Sequence, residues 1–473
     1  MKRIYYLFFG VALVYTFATN LWFYNLLNCN NPGRVMAPLA ISSGDTFSYL
    51  GSIDNFINEG SYYFKNLQGE KSYAGRMPYY GLPYYLFRQV TSQKNAYTLL
   101  ALIQILLQAL SVFFLIKLVA RFSQNKWVLW GTFLGYLICS YISTWNLYLA
   151  PESLSVSFMI FFLYHYQKYI IDRKEKTLFI ASVFLAFLVV LKPYFSLLYL
   201  PIGIGFILRY KKVGLIIRKT IITSIALLLL LTPWVIRNYL VLNKFIPFQE
   251  NVYAGYNYSR SDLACRSFIN AWGGSVVFWD PNEAGCYFTK TKIKCKFKLP
   301  DYAIASSYTR QDVEDVRQLY FKLQDQPNDS LDLVVSKRFD ELTQKYKSNH
   351  PLKYYLLNPA IRLKKFLVQS NTYNLPIHAS FKCYAGWQKF YKIFQYLLYY
   401  LILALGFIGI ILGFFRYGHL KNVSTMTYII PIYICLFFPV IFGTIEWRMF
   451  NHGFVALFIL ATVFCGSFFK SKS

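Results

Sequence analysis

Asp45, Arg76, Glu152, Lys192, Arg237 with Asn238, Glu446 and Arg448 are isolated ionisable or polar residues beside long apolar stretches. Charges at that depth are costly unless they are paired, wet or functional. Together they form a coherent set. Cations near the mouth of a helical bundle suit a negatively charged lipid phosphate, held in bidentate fashion where Arg is used. Asp45 is then left as the base that deprotonates an acceptor hydroxyl. Each residue also has a plainer reading. Lys192, Arg237 and Arg448 fit helix-end anchors that snorkel to the interface. Glu152, after Pro151, fits a charge that offsets a helix macrodipole. Asp45 fits a helix cap.

Those residues need a scaffold, and composition says which kind. The chain has 473 residues, 56% hydrophobic, 20% aromatic and 15% charged. Its apolar residues fall in uninterrupted blocks, which excludes an ordinary soluble enzyme, a disordered chain and a nucleic-acid binder. The formal charge of +28 reads instead as topology signal plus attraction to anionic membrane lipids. The fold class expected is an α-helical polytopic membrane protein. About ten transmembrane helices are expected, near 4–27, 96–120, 127–145, 150–167, 177–191, 194–208, 220–241, 394–415, 426–443 and 452–469. A cytoplasmic N-terminus puts Arg121/Lys126, Lys168–Lys176, Arg209–Lys219, Arg416/Lys421 and Lys470/Lys472 all inside. That asymmetry requires two passes across 177–208, makes both termini cytoplasmic and turns residues 28–95 and 242–393 outward.

The expected organisation is therefore an N-terminal transmembrane bundle over 1–241, with a catalytic first outer loop at 28–95. An extracytoplasmic region of mixed α/β structure follows at 242–393, and C-terminal transmembrane helices at 394–473. Residues 45–60 (Phe47, Leu50, Ile53, Phe56, Ile57) read as an amphipathic helix lying on the bilayer. Residues 289–299 alternate, Lys290, Lys292, Lys294, Lys296 and Lys298 against Thr291, Ile293, Cys295, Phe297 and Leu299, and predict a half-buried strand. The lysine face suits anionic lipid or an acidic glycan, or simply a solvated strand edge. Residues 308–325 and 330–348 read as helices. Cys139, Cys435 and Cys465 fall in spans as packing residues. Cys29, Cys265, Cys286, Cys295 and Cys383 face outward, where one or two disulfides of open pairing are expected. Walker loops, dinucleotide glycine fingerprints, CxxC pairs and His-x-x-x-His are absent from the sequence.

Several stretches resemble a known family. Gly44-Asp45-Thr46-Phe47-Ser48-Tyr49-Leu50, leading into a helix that ends Glu59-Gly60, is similar to the first outer loop of GT-C fold glycosyltransferases. The likeness is to the branch holding the protein O-mannosyltransferases and the lipid A aminoarabinose transferases. Ala74-Gly75-Arg76-Met77-Pro78-Tyr79-Tyr80 resembles that family's Arg-x-Pro stretch, and Pro151-Glu152-Ser153-Leu154 and Leu191-Lys192-Pro193 its later loops. Leu231-Thr232-Pro233-Trp234-Val235-Ile236-Arg237-Asn238-Tyr239, continuing to Asn243-Lys244-Phe245-Ile246-Pro247, is close to its Pro-Trp-x-x-Arg-Asn-Tyr segment. Glu446-Trp447-Arg448-Met449-Phe450 resembles Glu-x-Arg-Tyr, with Met449 in place of the Tyr.

The resemblance implies a polyprenyl-phosphate sugar donor, a glycan, lipid or protein acceptor, and inversion at the anomeric carbon. It implies Asp45 as the general base and Arg76, Lys192 and Arg237 as phosphate-binding groups. Tyr49, Glu152, Asn238, Glu446 and Arg448 become substrate-binding or structural residues at the outer face. Since no second acid adjoins Asp45, no metal and no cofactor is expected. A bacterial inner membrane is the expected location. The rival reading is an O-antigen or capsule polymerase or ligase acting on pyrophosphate-linked glycans, which also uses Arg-rich outer loops. A transporter would place its polar groups at mid-membrane, often in repeated halves. Here they gather at one edge.

Overall fold

The computed structural model describes residues 2–30, 32–65, 71–249, 252–253, 256–257, 259–278, 280–290, 294–368, 375, 377, 385–443 and 445–468. Six helices are long and apolar enough to cross a membrane: Ile4–Cys29, Gln93–Val119, Val213–Leu242, Gly386–Phe414, Thr425–Phe442 and Arg448–Gly466. A seventh candidate is the pair Lys126–Leu137 and Ser140–Asn146, bent by 49°. The chain is an α-helical membrane protein. The other apolar stretches are helical too: Glu152–Asp172, Glu175–Leu191, and Tyr199–Arg209 after a tight turn at Pro193–Leu198. Pro193 supplies no backbone N–H, so the helix that ends at Leu191 stops there.

The residues divide into two compact units. One comprises 1–255, 370–434 and 447–473; the other comprises 256–369 and 435–446. In the first, neighbouring helices pack in chain order from Lys2–Asn30 through Gln93–Val119, Glu152–Asp172 and Glu175–Leu191 to Val213–Leu242. The last apolar helix is central, with 83% of its apolar window buried, against 17% for Val213–Leu242. It approaches Gly386–Phe414 closely because Gly406 and Gly409 leave room. A Cβ on Gly406 would stand 2.8 Å from the Leu457 carbonyl oxygen. Small residues permit such backbone proximity between membrane helices.

The loop after the first apolar helix is fastened to this bundle by backbone. Ile41 N donates to Leu147 O at 2.8 Å, and Leu149 N donates to Ile41 O at 3.0 Å. A helix then runs Thr46–Glu59 and closes on Gly60 at φ 69°, a left-handed residue that glycine adopts freely. It is amphipathic as expected for residues 45–60. Tyr49, Leu50 and Ile53 are buried while Phe47 and Phe56 are exposed, so its two phenylalanines lie off the packed face.

The second unit has its own core, built from Phe268, Trp272, Phe288, Tyr320, Phe339 and Tyr346. Helices Arg310–Asp325 and Asp329–Asn349 match the two expected ones. Thr309 and Asp312 close a capping box that starts the first of them. The strand expected over 289–299 is corrected. Its described residues pair with no strand, and Thr291, Lys292 and Ile293 lie outside the described residues. Residues 294–299 keep the in-and-out alternation, with Lys294, Lys296 and Lys298 exposed and Leu299 buried. A loop takes the place of a partner strand. Lys296 N and Phe297 N both donate to Pro281 O, at 2.8 and 3.0 Å, and Cys295 is disulfide-bonded to Cys286. Cys29 and Cys265 are free thiols; Cys383 lies outside the described residues.

Candidate active site

Asp45 occupies the cap position of the Thr46–Glu59 helix, but its carboxylate makes no capping bond. Thr46 Oγ1 anchors the helix start instead, accepting from Ser43 N at 2.7 Å and donating to Leu149 O at 2.9 Å. The second of those bonds ties the helix start to the segment just before Pro151-Glu152. Asp45 is free to turn inward. Its Oδ2 meets Arg448 Nη1 at 2.7 Å and its Oδ1 stands 3.8 Å from Arg76 Nη2.

Arg448 also reaches Glu152 Oε1 at 3.4 Å, and the same oxygen accepts from Lys192 Nζ at 2.8 Å. Five charges from four separate loops and helix ends therefore form one chain: Arg76, Asp45, Arg448, Glu152, Lys192. Three cations and two carboxylates leave it one positive charge in excess. Side-chain exposure differs among its members, from 1% for Glu152 and 6% for Lys192 through 10% for Asp45 to 15% for Arg76 and 20% for Arg448. The two arginines are thus its most exposed members, and Glu152 with Lys192 its most buried. Burial pushes the Asp45 carboxyl up, but Arg448, Arg76 and Lys192 outweigh it and hold the group at about 2.

Two buried polar atoms of this chain, Glu152 Oε2 and Arg76 Nε, have no hydrogen-bond partner among the described residues. Buried polar groups are normally satisfied, and orphans mark strain or a ligand position. Aromatic rings line the arginine side. The Arg76 guanidinium stands 4.6 Å from the centroid of the buried Tyr49 ring, which meets Tyr80 edge-on at 5.4 Å. Tyr62 fixes the loop by donating to Arg76 O at 2.9 Å.

The other expected residues serve elsewhere. Arg237 donates to Tyr73 O at 2.5 Å, to Asn238 Oδ1 at 2.9 Å and to Tyr62 O. Asn238 is fully buried and donates to Ile246 O at 3.0 Å, while Trp234 Nε1 donates to Phe248 O at 2.5 Å. The Trp-x-x-Arg-Asn segment thus clasps two loops by their carbonyls, and no contact joins Arg237 to the Asp45 chain among the described interactions. Glu446 is half-buried and belongs to the second unit.

Sequence reasoning passed over His452, which is fully buried, with Nε2 2.8 Å from Ser155 Oγ. The spacing held a signal: Ser155 lies three residues after Glu152 and His452 four after Arg448, one helical turn in each case. Tyr194, beside Lys192, reaches Met449 Sδ at 3.7 Å, so Met449 still has an aromatic hydroxyl against it. Among the described residues no three His, Cys, Asp or Glu side chains gather into a metal-holding group. Comparisons with family models, with curated proteins and with solved structures found no match.

Proposed function

We propose that this membrane protein is a glycosyltransferase that moves a sugar from a polyprenyl-phosphate donor to a hydroxyl of a glycan, lipid A or protein acceptor, with inversion. The reading includes ten spans, cytoplasmic termini, a site on the outer face, and a bacterial inner membrane. One observation carries it: a carboxylate that makes no capping bond sits between two arginines in a chain of five charges, three of them buried, with one positive charge in excess. A polyprenyl phosphosugar is a phosphodiester with one negative charge and neutralises that excess. A pyrophosphate-linked glycan carries one more, which favours the transferase over the polymerase or ligase.

The step balances without a metal. The acceptor O–H gives its proton to Asp45, and the acceptor oxygen bonds to the anomeric carbon. The anomeric C–O bond to phosphate breaks, and its electron pair leaves on the phosphate oxygen. Arg76 and Arg448 stabilise the charge that grows there. Lys192 and Glu152 keep Arg448 in reach.

The test uses purified protein in nanodiscs with a panel of radiolabelled polyprenyl-phosphate sugars, following release of lipid phosphate with and without an envelope-glycan acceptor. Acceptor-dependent release from one donor is expected, lost by on the order of 10²–10⁴ in Asp45→Asn. Full activity in folded Asp45→Asn removes the general base. Release from no monophosphate donor by folded wild type shifts the reading to pyrophosphate-linked substrates.

A further inference from the structure

In the cluster as it stands, Asp45 is not available as a base. Arg448 hydrogen-bonds one carboxylate oxygen and Arg76 faces the other. Those two guanidiniums are also the most exposed cations of the cluster, the first that an entering anion meets. A guanidinium fork bound to a carboxylate and the same fork bound to phosphate are alternatives, because both use the same N–H donors. Arg448 has a particular freedom. It bridges two carboxylates at 2.7 and 3.4 Å, so leaving Asp45 does not strip it of all charge partners. Glu152 in turn keeps Lys192 when Arg448 moves.

We propose that the donor phosphate unlocks the base: on binding, it draws Arg448 from Asp45 to itself, so an acceptor hydroxyl meets a free carboxylate only when the donor is in place. The inference rests on the transferase reading above and adds an order to it. Arg448 is a positioning residue for Asp45 before the donor arrives and a phosphate ligand afterwards. Arg76, over the Tyr49 ring, shifts less, since stacking on the aromatic face holds it. Donor and base thus compete for one side chain. By linkage, whatever frees Arg448 from Asp45 must tighten donor binding.

That competition has a signature opposite to ordinary site damage. The probe is a short-chain polyprenyl methyl phosphodiester, a monoanion across the working range, bound to full-length protein in nanodiscs. Asp45→Asn should bind it roughly tenfold more tightly than wild type while transfer is lost. Removing a negative charge alone also favours an anion, so the second arm is a double-mutant cycle with Arg448→Gln. Arg448→Gln alone should weaken binding, and in that background Asp45→Asn should change affinity less than threefold. Arg448→Met, which also removes the charge, replaces it if the glutamine variant does not fold. Unchanged or weaker binding by Asp45→Asn overturns the lock and leaves the transferase reading standing. Tightening that persists without Arg448 is a charge effect only and also overturns it. If wild type does not bind the phosphodiester at all, the donor assignment falls, and the lock with it.

Discussion

Two arginines near the ends of apolar helices have opposite surroundings. Arg448 meets two carboxylates, Asp45 and Glu152; Arg237 meets two backbone carbonyls and a neighbouring amide oxygen. A carboxylate is a charged partner that phosphate can replace like for like. A carbonyl of a folded loop is a fixed strut, and giving it up unseats the loop. Arg237 adds the Tyr62 and Trp234 rings, at 5.4 and 5.3 Å from its guanidinium carbon. On the proposed reading the same side chain is therefore exchangeable at one position and structural at the other, and the partners decide which.

The largest expected effect lies on the exchangeable side. Arg448→Ala removes the cation that touches both acids, and transfer should fall about a thousandfold, measured as lipid-phosphate release at saturating acceptor. A loss under tenfold would erase the contrast with Arg237. The matching substitution, Arg237→Ala, should act on stability. It leaves the Tyr62 and Tyr73 carbonyls unpaired, a cost of about 2–3 kcal/mol that a thermal melt in detergent reads as a lowered Tm. Donor affinity per folded molecule should change less than about threefold. A variant of unchanged Tm and lost donor binding would make Arg237 the phosphate holder that the family resemblance implies.

A third test uses pH. The Asp45 carboxyl is held at about 2, below its ordinary value near 4, so ionised Asp45 stabilises the fold. For a depressed acid that contribution is complete above the ordinary range and is lost as pH falls toward the folded value. Wild type should exceed Asp45→Asn by about 2 kcal/mol at pH 7, and by about half that at pH 3. A gap that stays constant from pH 7 to pH 3 would mean that the arginines do not depend on the Asp45 charge.

Much of this site could be read from residue types. Glu152 and Lys192 stood out because charge beside apolar helices is expensive, and they pair with each other at 2.8 Å. Asp45 read equally well as a cap, and only the structure shows that its carboxylate makes no capping bond. Arg237 was grouped with the phosphate holders by the family resemblance, while its side-chain charge alone fitted a helix-end anchor equally well; sequence hides the backbone carbonyls that it meets in the structure. Residues 289–299 teach the same lesson in the second unit. A period of two encodes which side chains face in, and residues 294–299 obey it, but it carries no information on whether a strand or the Pro281 loop fills the other edge. Span lengths were similarly partial. The break after Leu191 follows from Pro193, whereas the 49° bend between Leu137 and Ser140 has no proline and was invisible.

The smallest expected effect extends the comparison from partners to surroundings. Lys192 with Glu152 and Lys290 with Asp325 are the same chemical pair, at side-chain exposures of 6% and 1% against 45% and 56%. Water already solvates both members of the exposed pair, so their attraction is screened and offset by the entropy of holding two mobile side chains together. Lys290→Ala should shift stability by under about 0.5 kcal/mol, and raising salt to 1 M should abolish even that. Lys192→Ala leaves a nearly dry carboxylate with Arg448 alone, and salt cannot reach it. If Lys290→Ala cost as much as Lys192→Ala, partner identity rather than burial would set the strength of these contacts. The carboxylate that makes Arg448 exchangeable would then owe nothing to its depth.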